Sequence, residues 1–387
     1  MPSDLSAGIC LVFLATTTLL AAGPAPDHSR SDQMDAIFSG MIQPGDPGMA
    51  VSVKQNGKII FEKGYGVRDL RGHAAIDPQT NFRLASVSKQ FTAMAIMLLV
   101  HDGKLRYEDH LTDIFPDFPA YGKDITLRNL LTHTSGLPDY DEIMERQEKS
   151  GGPMWSPDHQ IQDDEVLALL KTQPTGRFAP GTRWEYSNSG YVVLGLIVAK
   201  VSGMPYREFL QQRIFAPLKM DHTVVYQKGK NEIDRRAFGH IKENGVLVER
   251  DQSASSATLG DGGVYSNLGD LANWDEGLQI HTLLSEKEMQ PAFTPVRLTD
   301  GQLPHWPPDP HAAHPEEPLS VYYGFGWFLD PYQGQARDYH SGETQGFRST
   351  VQRFVEDHFT IVVLSNRTDL RPEEMSLKVA DLLLVAK

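Results

Sequence analysis

Ser86 and Lys89 are the residues whose types and spacing most directly suggest chemistry. A serine hydroxyl is a weak nucleophile until a neighbour takes its proton. A lysine can take part in that transfer when burial and nearby positive groups weaken its hold on its own proton. Three positions apart on a helix, the two side chains lie on one face, one turn apart. The run Phe91 to Val100 has no Gly or Pro and is apolar on nearly every face. This predicts a helix buried inside a domain, beginning near Ser86 and far too short to cross a membrane. A helix start adds unpaired N–H groups and a positive dipole end, both favouring negative charge that develops there. Taken alone, the pair reads more simply as a capping serine and a solvent-reaching lysine. It is nevertheless the only Ser-x-x-Lys in the chain, so the case rests on what accompanies it.

Acyl transfer to a serine also needs a base, donors for the oxyanion and a hold on the substrate. Pro180 to Gly190 offers Tyr186 and Asn188. A tyrosine beside a lysine can act as base, and Asn188 can bond both Lys89 and a substrate amide. The plainer reading is a buried aromatic and a helix cap. Tyr265-Ser266-Asn267 repeats the tripeptide after Gly262-Gly263, where Ser266 or Asn267 suits the cap of a following helix; the tripeptide alone does not rank the two. A third stretch, Tyr339-His340-Ser341-Gly342-Glu343-Thr344, reads as a strand. His340 and Ser341 there are expected to donate to a substrate carboxylate, and Gly342 to let a substrate backbone approach closely.

These groups need a scaffold. Met49 to Lys54 and Lys58 to Glu62 flank Gln55-Asn56-Gly57, a strong hairpin signal. Pro24 to Asp32 reads as a flexible lead-in and Met34 to Met41 as a short helix. Thr126 is placed as the cap of a helix stopped by Gly136 and Pro138. Tyr140 to Asp163 reads as an irregular lid or insertion. Gly190 to Val201 and Leu268 to Leu278 read as buried helices. Thr294 to Leu319, rich in Pro and His, reads as a surface loop rather than a metal site. Strands are expected at Phe325 to Leu329, Thr350 to Val355 and Phe359 to Leu364, with a closing amphipathic helix from Pro372 to Ala386. Strands at both ends with helices between them imply that the two ends of the chain share one sheet.

The 387 residues suffice for one large domain or two. A formal charge of −14 argues against non-specific nucleic-acid binding. Ala7 to Ala22 is apolar and Leu20-Ala21-Ala22-Gly23 offers a small-residue cleavage point, so an export signal over 1–23 and a periplasmic or secreted protein are expected. The signal is atypical, because the preceding residues carry Asp4 and no Lys or Arg. The single cysteine, Cys10, falls within it, which leaves the processed protein no disulfide, Cys-ligated zinc or thiol nucleophile.

Taken together and in this order, the motifs resemble the serine β-lactamase and penicillin-binding-protein superfamily, whose set includes Ser-x-x-Lys, a second polar triad and Lys-Thr-Gly. The likeness runs over roughly residues 35–387 and looks closest to the class C-like branch, where the second motif is Tyr-x-Asn. Phe82 to Phe91, Leu127 to Leu137, Pro180 to Gly190 and Gly262 to Trp274 carry it. The resemblance implies an α+β fold of β-lactamase/transpeptidase type, an antiparallel sheet flanked by helices plus an all-helical lobe. The sheet lobe would take about 35–100 and 320–387, and the helical lobe about 101–319. It implies Ser86 as nucleophile, Lys89 as proton-transfer partner, Tyr186 rather than Tyr265 as base, and Asn188 as substrate clamp. His340 takes the third-motif cation position, with Ser341, Gly342 and Glu343 lining the substrate, and the N–H groups of Ser86 and Glu343 form the oxyanion hole. No cofactor or metal is implied. The departure is His340-Ser341-Gly342 where the family has Lys-Thr-Gly. A histidine of ordinary pKa, about 6.5, is mostly neutral at pH 7, and Glu343 disfavours an anionic substrate. The expectation is an exported serine hydrolase for β-lactams or D-amino-acid, cell-wall-type peptides. The alternatives are a carboxylesterase for small esters or a non-turnover penicillin- or peptidoglycan-binding protein.

Overall fold

The computed structural model describes residues 28–306 and 319–384. The expected export signal with Cys10, and most of the Pro- and His-rich loop, lie outside the described residues. Along the chain, α1 (His28–Ser39) leads into β1 (Met49–Gln55) and β2 (Lys58–Tyr65). β3 (Phe82–Arg83) precedes a 3-10 turn (Ala85–Ser88) and α2 (Lys89–His101). The middle of the chain supplies, among other elements, α3 (Leu127–Leu131), α4 (Tyr140–Lys149), α5 (Asn188–Ser202), β4 (Val224–Val225), β5 (Val264–Ser266) and α6 (Leu268–Gln279). It closes with β6 (Asp338–Thr344), β7 (Phe347–Phe354), β8 (Phe359–Ser365) and α7 (Pro372–Leu384).

The main sheet has the order β2-β1-β8-β7-β6, antiparallel throughout. Its first hairpin turns at Asn56 and Gly57, both at positive φ, the backbone a two-residue turn demands. β1 pairs β8 from Met49↔Ser365 to Gln55↔Phe359, so the two ends of the chain do share the sheet. Alternation sorts its residues by face. Met49, Val51, Val53, Ile361 and Val363 pack under Met34 and Phe38 of α1 and Met375, Val379 and Leu383 of α7. Ala50, Val362 and Leu364 face the second core, which holds α2 and α5. Every residue of α2 from Lys89 to Leu99 is buried, with the Phe91 ring 4.7 Å from Trp274 and 5.4 Å from Phe215. A small sheet, β3-β5-β4, passes just ahead of the turn that carries Ser86.

Three expectations are corrected. Tyr140 to Lys149 forms α4, because Tyr140, Ile143 and Met144 fall on one helical face and are buried while the rest of the helix is polar; Asp139 caps it. Phe325 to Leu329 is not a strand: Gly326 sits at φ +77° against the backbone of Lys89 and Gln90, and only Phe328 bridges to Tyr323 and Tyr339. The lead-in is helical from His28. Thr126 and Asn267 cap α3 and α6 as expected, each accepting from the N–H three residues on.

One buried carboxylate ties α6 to the sheet. Asp275 accepts from Arg353 Nε at 2.9 Å and Thr360 Oγ1 at 2.9 Å, with Lys54 Nζ at 3.3 Å. Asp275→Ala leaves Arg353 with only Asp338 and Lys54 with only Glu276, and the expected loss is about 3 kcal/mol of unfolding free energy, measured by urea denaturation.

Candidate active site

The 3-10 turn Ala85–Ser88 delivers Ser86, half-buried, directly ahead of Lys89, the first residue of α2. The α-helix proper therefore starts at Lys89, three residues after Ser86, where the helix start was expected. Ala85 holds φ +50°, a conformation that costs a non-glycine residue energy and is found where surrounding structure enforces it. The enforcing element is β6. A Cβ added to Gly342 would meet Leu84 O at 2.1 Å, and Ser349 Oγ donates to the same carbonyl at 2.7 Å.

Lys89 is wholly buried. Its Nζ donates to Ser86 Oγ at 3.1 Å, Asn188 Oδ1 at 2.9 Å and the Asp261 carbonyl at 3.0 Å. An ammonium has three N–H groups, and each finds an acceptor. Lys89 Nζ also lies 4.9 Å from the centre of the Tyr186 ring. Asn188 is fixed because Ser187 caps α5, accepting from Gly190 N–H, while Asp139 accepts from Asn188 N–H at 3.0 Å. Burial raises the pKa of Asp139, and burial followed by the charges of Asp139 and Asp261 pushes Asp141 up to about 7. Ser86, Lys89, Tyr186 and Asn188 thus converge. Tyr265, the rival, is buried in β5 with its hydroxyl near Arg236 and Gln252.

β6 is an edge strand. Tyr339 exchanges both backbone hydrogen bonds with Phe328 on the outer side, so antiparallel alternation turns the N–H and C=O of Ser341 and Glu343 outward as well. The same alternation separates side chains. His340 and Gly342 face α2, whereas Ser341 and Glu343 face α7, where Ser341 donates to Glu373. The joint role expected for His340 and Ser341 at one carboxylate is therefore corrected, since neighbours on a strand point apart. His340 is also no cation. It is buried, its Nδ1–H donates to the Ser341 carbonyl at 2.7 Å, and Nε2 accepts from Tyr323 at 3.3 Å. Burial, then the charge of Lys89, bring its pKa down to about 3.

His133 is the group that residue-type reasoning missed. Its carbonyl accepts from Glu185 N–H at 2.9 Å and its Nδ1 from Ser187 N–H at 3.1 Å. The ring lies 4.4 Å from that of Tyr186, so one residue grips both neighbours of Tyr186 and stacks on the tyrosine itself. Burial, then the charge of Lys89, hold His133 neutral, its pKa far below the usual value. Its place in Leu-Thr-His-Thr-Ser-Gly was visible in the sequence, but its partners were not. The Asp261 carbonyl carried no residue-type signal at all.

A family model described as Beta-lactamase matches residues 34–386. The chain belongs to the Beta-lactamase family. This family member is 33% identical over 373 residues to a penicillin-binding protein of Bacillus subtilis (strain 168), covering 92% of this chain and 76% of that one. Among solved structures it resembles an octameric penicillin-binding protein homologue from Pyrococcus abyssi, with TM-score 0.74 and 26% identity, over 93% of this chain and 77% of that one. It also shares its fold with a D-amino acid amidase from Ochrobactrum anthropi SV3, with TM-score 0.73 and 23% identity, over 92% and 99% of the two chains. The family and these penicillin-binding relatives make the chain a serine hydrolase of α+β fold.

Two outcomes test the site. His340 titrates lower in the folded than in the unfolded chain, so its contribution to stability is present above pH 6.5 and is lost as pH falls toward 3. Between pH 7 and 5 the stability of wild type relative to His340→Gln should fall by about 2 kcal/mol at 1.36 kcal/mol per unit, read from paired urea titrations. His133→Phe keeps the stacked ring and removes the acceptor for Ser187. Steady-state kinetics should show kcat reduced roughly tenfold to a hundredfold, with KM changed less.

Proposed function

We propose that Ser86 forms an acyl-enzyme with amides or esters of D-amino acids and related cell-wall peptides, in an exported protein. The observation that carries this is the placement of Lys89 Nζ, 3.1 Å from Ser86 Oγ and 2.9 Å from Asn188 Oδ1, against the Tyr186 ring. With all three of its N–H groups donating, Lys89 acts as a cation and donor, and the proton of Ser86 needs another acceptor. Tyr186, whose ring lies 4.9 Å from Lys89 Nζ, supplies it in this reading. Ser86 Oγ bonds the acyl carbon while its proton passes to the Tyr186 oxygen, which serves as base. Outward N–H groups of Ser86 and Glu343 receive the oxyanion. The tetrahedral adduct collapses, the bond to the leaving nitrogen or oxygen breaks, and Tyr186 returns the proton to that atom. Water then attacks the ester through the same base, and Ser86 is restored. Asn188 Oδ1 already accepts from Lys89, and its amide N–H₂ is the part suited to a substrate carbonyl.

β-Lactams are the second substrate class, favoured by the penicillin-binding relatives. The neutral His340 counts against them, because it offers no cation for the drug's carboxylate. Ser86→Ala should abolish hydrolysis of nitrophenyl esters and D-amino-acid amides while circular dichroism and the unfolding midpoint stay as in wild type. Intact-mass spectrometry after mixing with substrate should show an acyl adduct on Ser86. Turnover by Ser86→Ala would refute the assignment.

A further inference from the structure

Tyr140 carries a buried hydroxyl that the reaction scheme does not use. It opens α4, and the start of that helix reaches both of the distant acceptors of Lys89. Asp139 Oδ2 accepts from the N–H of Asn188. Tyr140 N–H donates to Ser189 Oγ at 2.8 Å. The Tyr140 hydroxyl lies 3.0 Å from Asp261 Oδ2, on the residue whose carbonyl accepts from Lys89. Thr258 Oγ1, the other neighbour of that hydroxyl at 3.2 Å, gives its own proton to Ser255 O at 2.9 Å. A carboxylate only accepts, so the Tyr140 proton goes to Asp261. Burial, then the charge of Asp261, keeps that proton on Tyr140, its pKa far above the usual phenol value.

The sequence around Asp261 makes this bond matter. Asp261 stands between Gly260 and Gly262, with Gly263 next, so it is the one side chain in four residues. Gly260 is required, since a Cβ there would meet Tyr191 O at 2.1 Å. Backbone beside glycine turns easily. Arg83 holds Gly262 O and Ser256 O, but the direction of the carbonyl between them is left to Asp261 itself. Its side chain is the only handle. Asp261 Oδ1 is buried with no hydrogen-bond partner among the described residues. Asp139, Asp141 and Asp163 are close enough for its charge to raise their pKa values, and like charges repel. Without the Tyr140 hydroxyl, this carboxylate keeps its acidic neighbours and loses its donor. It would rotate or take a proton, and the carbonyl would turn with it.

We propose that Tyr140 is a positioning residue for acyl transfer: its hydroxyl anchors the Asp261 carboxylate and so aims the Asp261 carbonyl at Lys89 Nζ. It touches no reacting atom. The inference rests on the serine-hydrolase reading and extends it, because the third acceptor of Lys89 is then set by α4, a helix that carries none of the three motifs.

The test is steady-state hydrolysis of nitrophenyl butyrate by the full protein. Tyr140→Phe removes one oxygen and leaves the ring in the core. Its kcat should fall roughly tenfold to a hundredfold, with KM changed by no more than about twofold. Asp261→Ala removes the same bond from its other end and should lower kcat to a similar extent. Adding Tyr140→Phe to Asp261→Ala should then cost nothing further, the signature of two groups acting through one contact. A merely structural hydroxyl would lower the urea midpoint and leave kcat per folded molecule at the wild-type value, and that result would overturn the inference. So would full additivity of the two substitutions. If Tyr140→Phe does not fold, Asp261→Ala decides alone: a wild-type kcat sinks the inference, and a fall in kcat at unchanged KM supports it. Wild type that hydrolyses no ester, or Ser86→Ala that still does, removes the hydrolase reading and this inference with it, whereas a wild-type kcat in Tyr140→Phe removes only the inference.

Discussion

The structure is organised around the cost of burying one ammonium. Lys89 has no exposed surface, and taking such a group out of water is unfavourable by several kcal/mol unless every N–H is satisfied. The acceptors come from three places: the turn before it, the first residue of α5, and a carbonyl just ahead of β5. Each is itself fixed. Ser187 and Asp139 hold Asn188. The carbonyl of Asp261 is stationed by the buried Arg83, which donates to Gly262 O and Ser256 O on either side of it. Aspartates packed nearby supply the negative field that compensates for lost hydration.

The same arrangement explains why the third motif carries a neutral ring. A second buried cation facing Lys89 would repel it in a medium of low dielectric. His340 avoids this by staying unprotonated, so the cleft concentrates its positive charge at the bottom, beside the nucleophile. In a family whose motif has lysine at this position, exchanging it for histidine does more than remove one substrate contact. It also leaves Lys89 as the buried cation beside Ser86.

Much of this was legible from residue order. The Ser86–Lys89 spacing, the Asn-Gly hairpin and the caps at Thr126 and Asn267 rest on local rules that tertiary context left intact. α4 was missed because only Tyr140, Ile143 and Met144 are buried in it, and so polar a segment resembles a loop. Phe325 to Leu329 was misread because a run rich in aromatics suits a strand, while its glycine was needed at positive φ to lie against α2. The split between His340 and Ser341 was within reach, since a two-residue period forbids adjacent side chains from sharing a face. The burial that silences His340 was not. It depends on Tyr323 and Phe328, whose approach no local pattern reports.

The contact between Leu84 and Ser349 joins positions 265 apart in the chain, and it has a consequence in time. Ser86 and its helix are synthesised well before the strand that clamps their turn. Until β6 and β7 dock, the left-handed backbone at Ala85 lacks the clamp that Gly342 and Ser349 provide. The turn that carries Ser86 therefore takes its shape from segments made long after it.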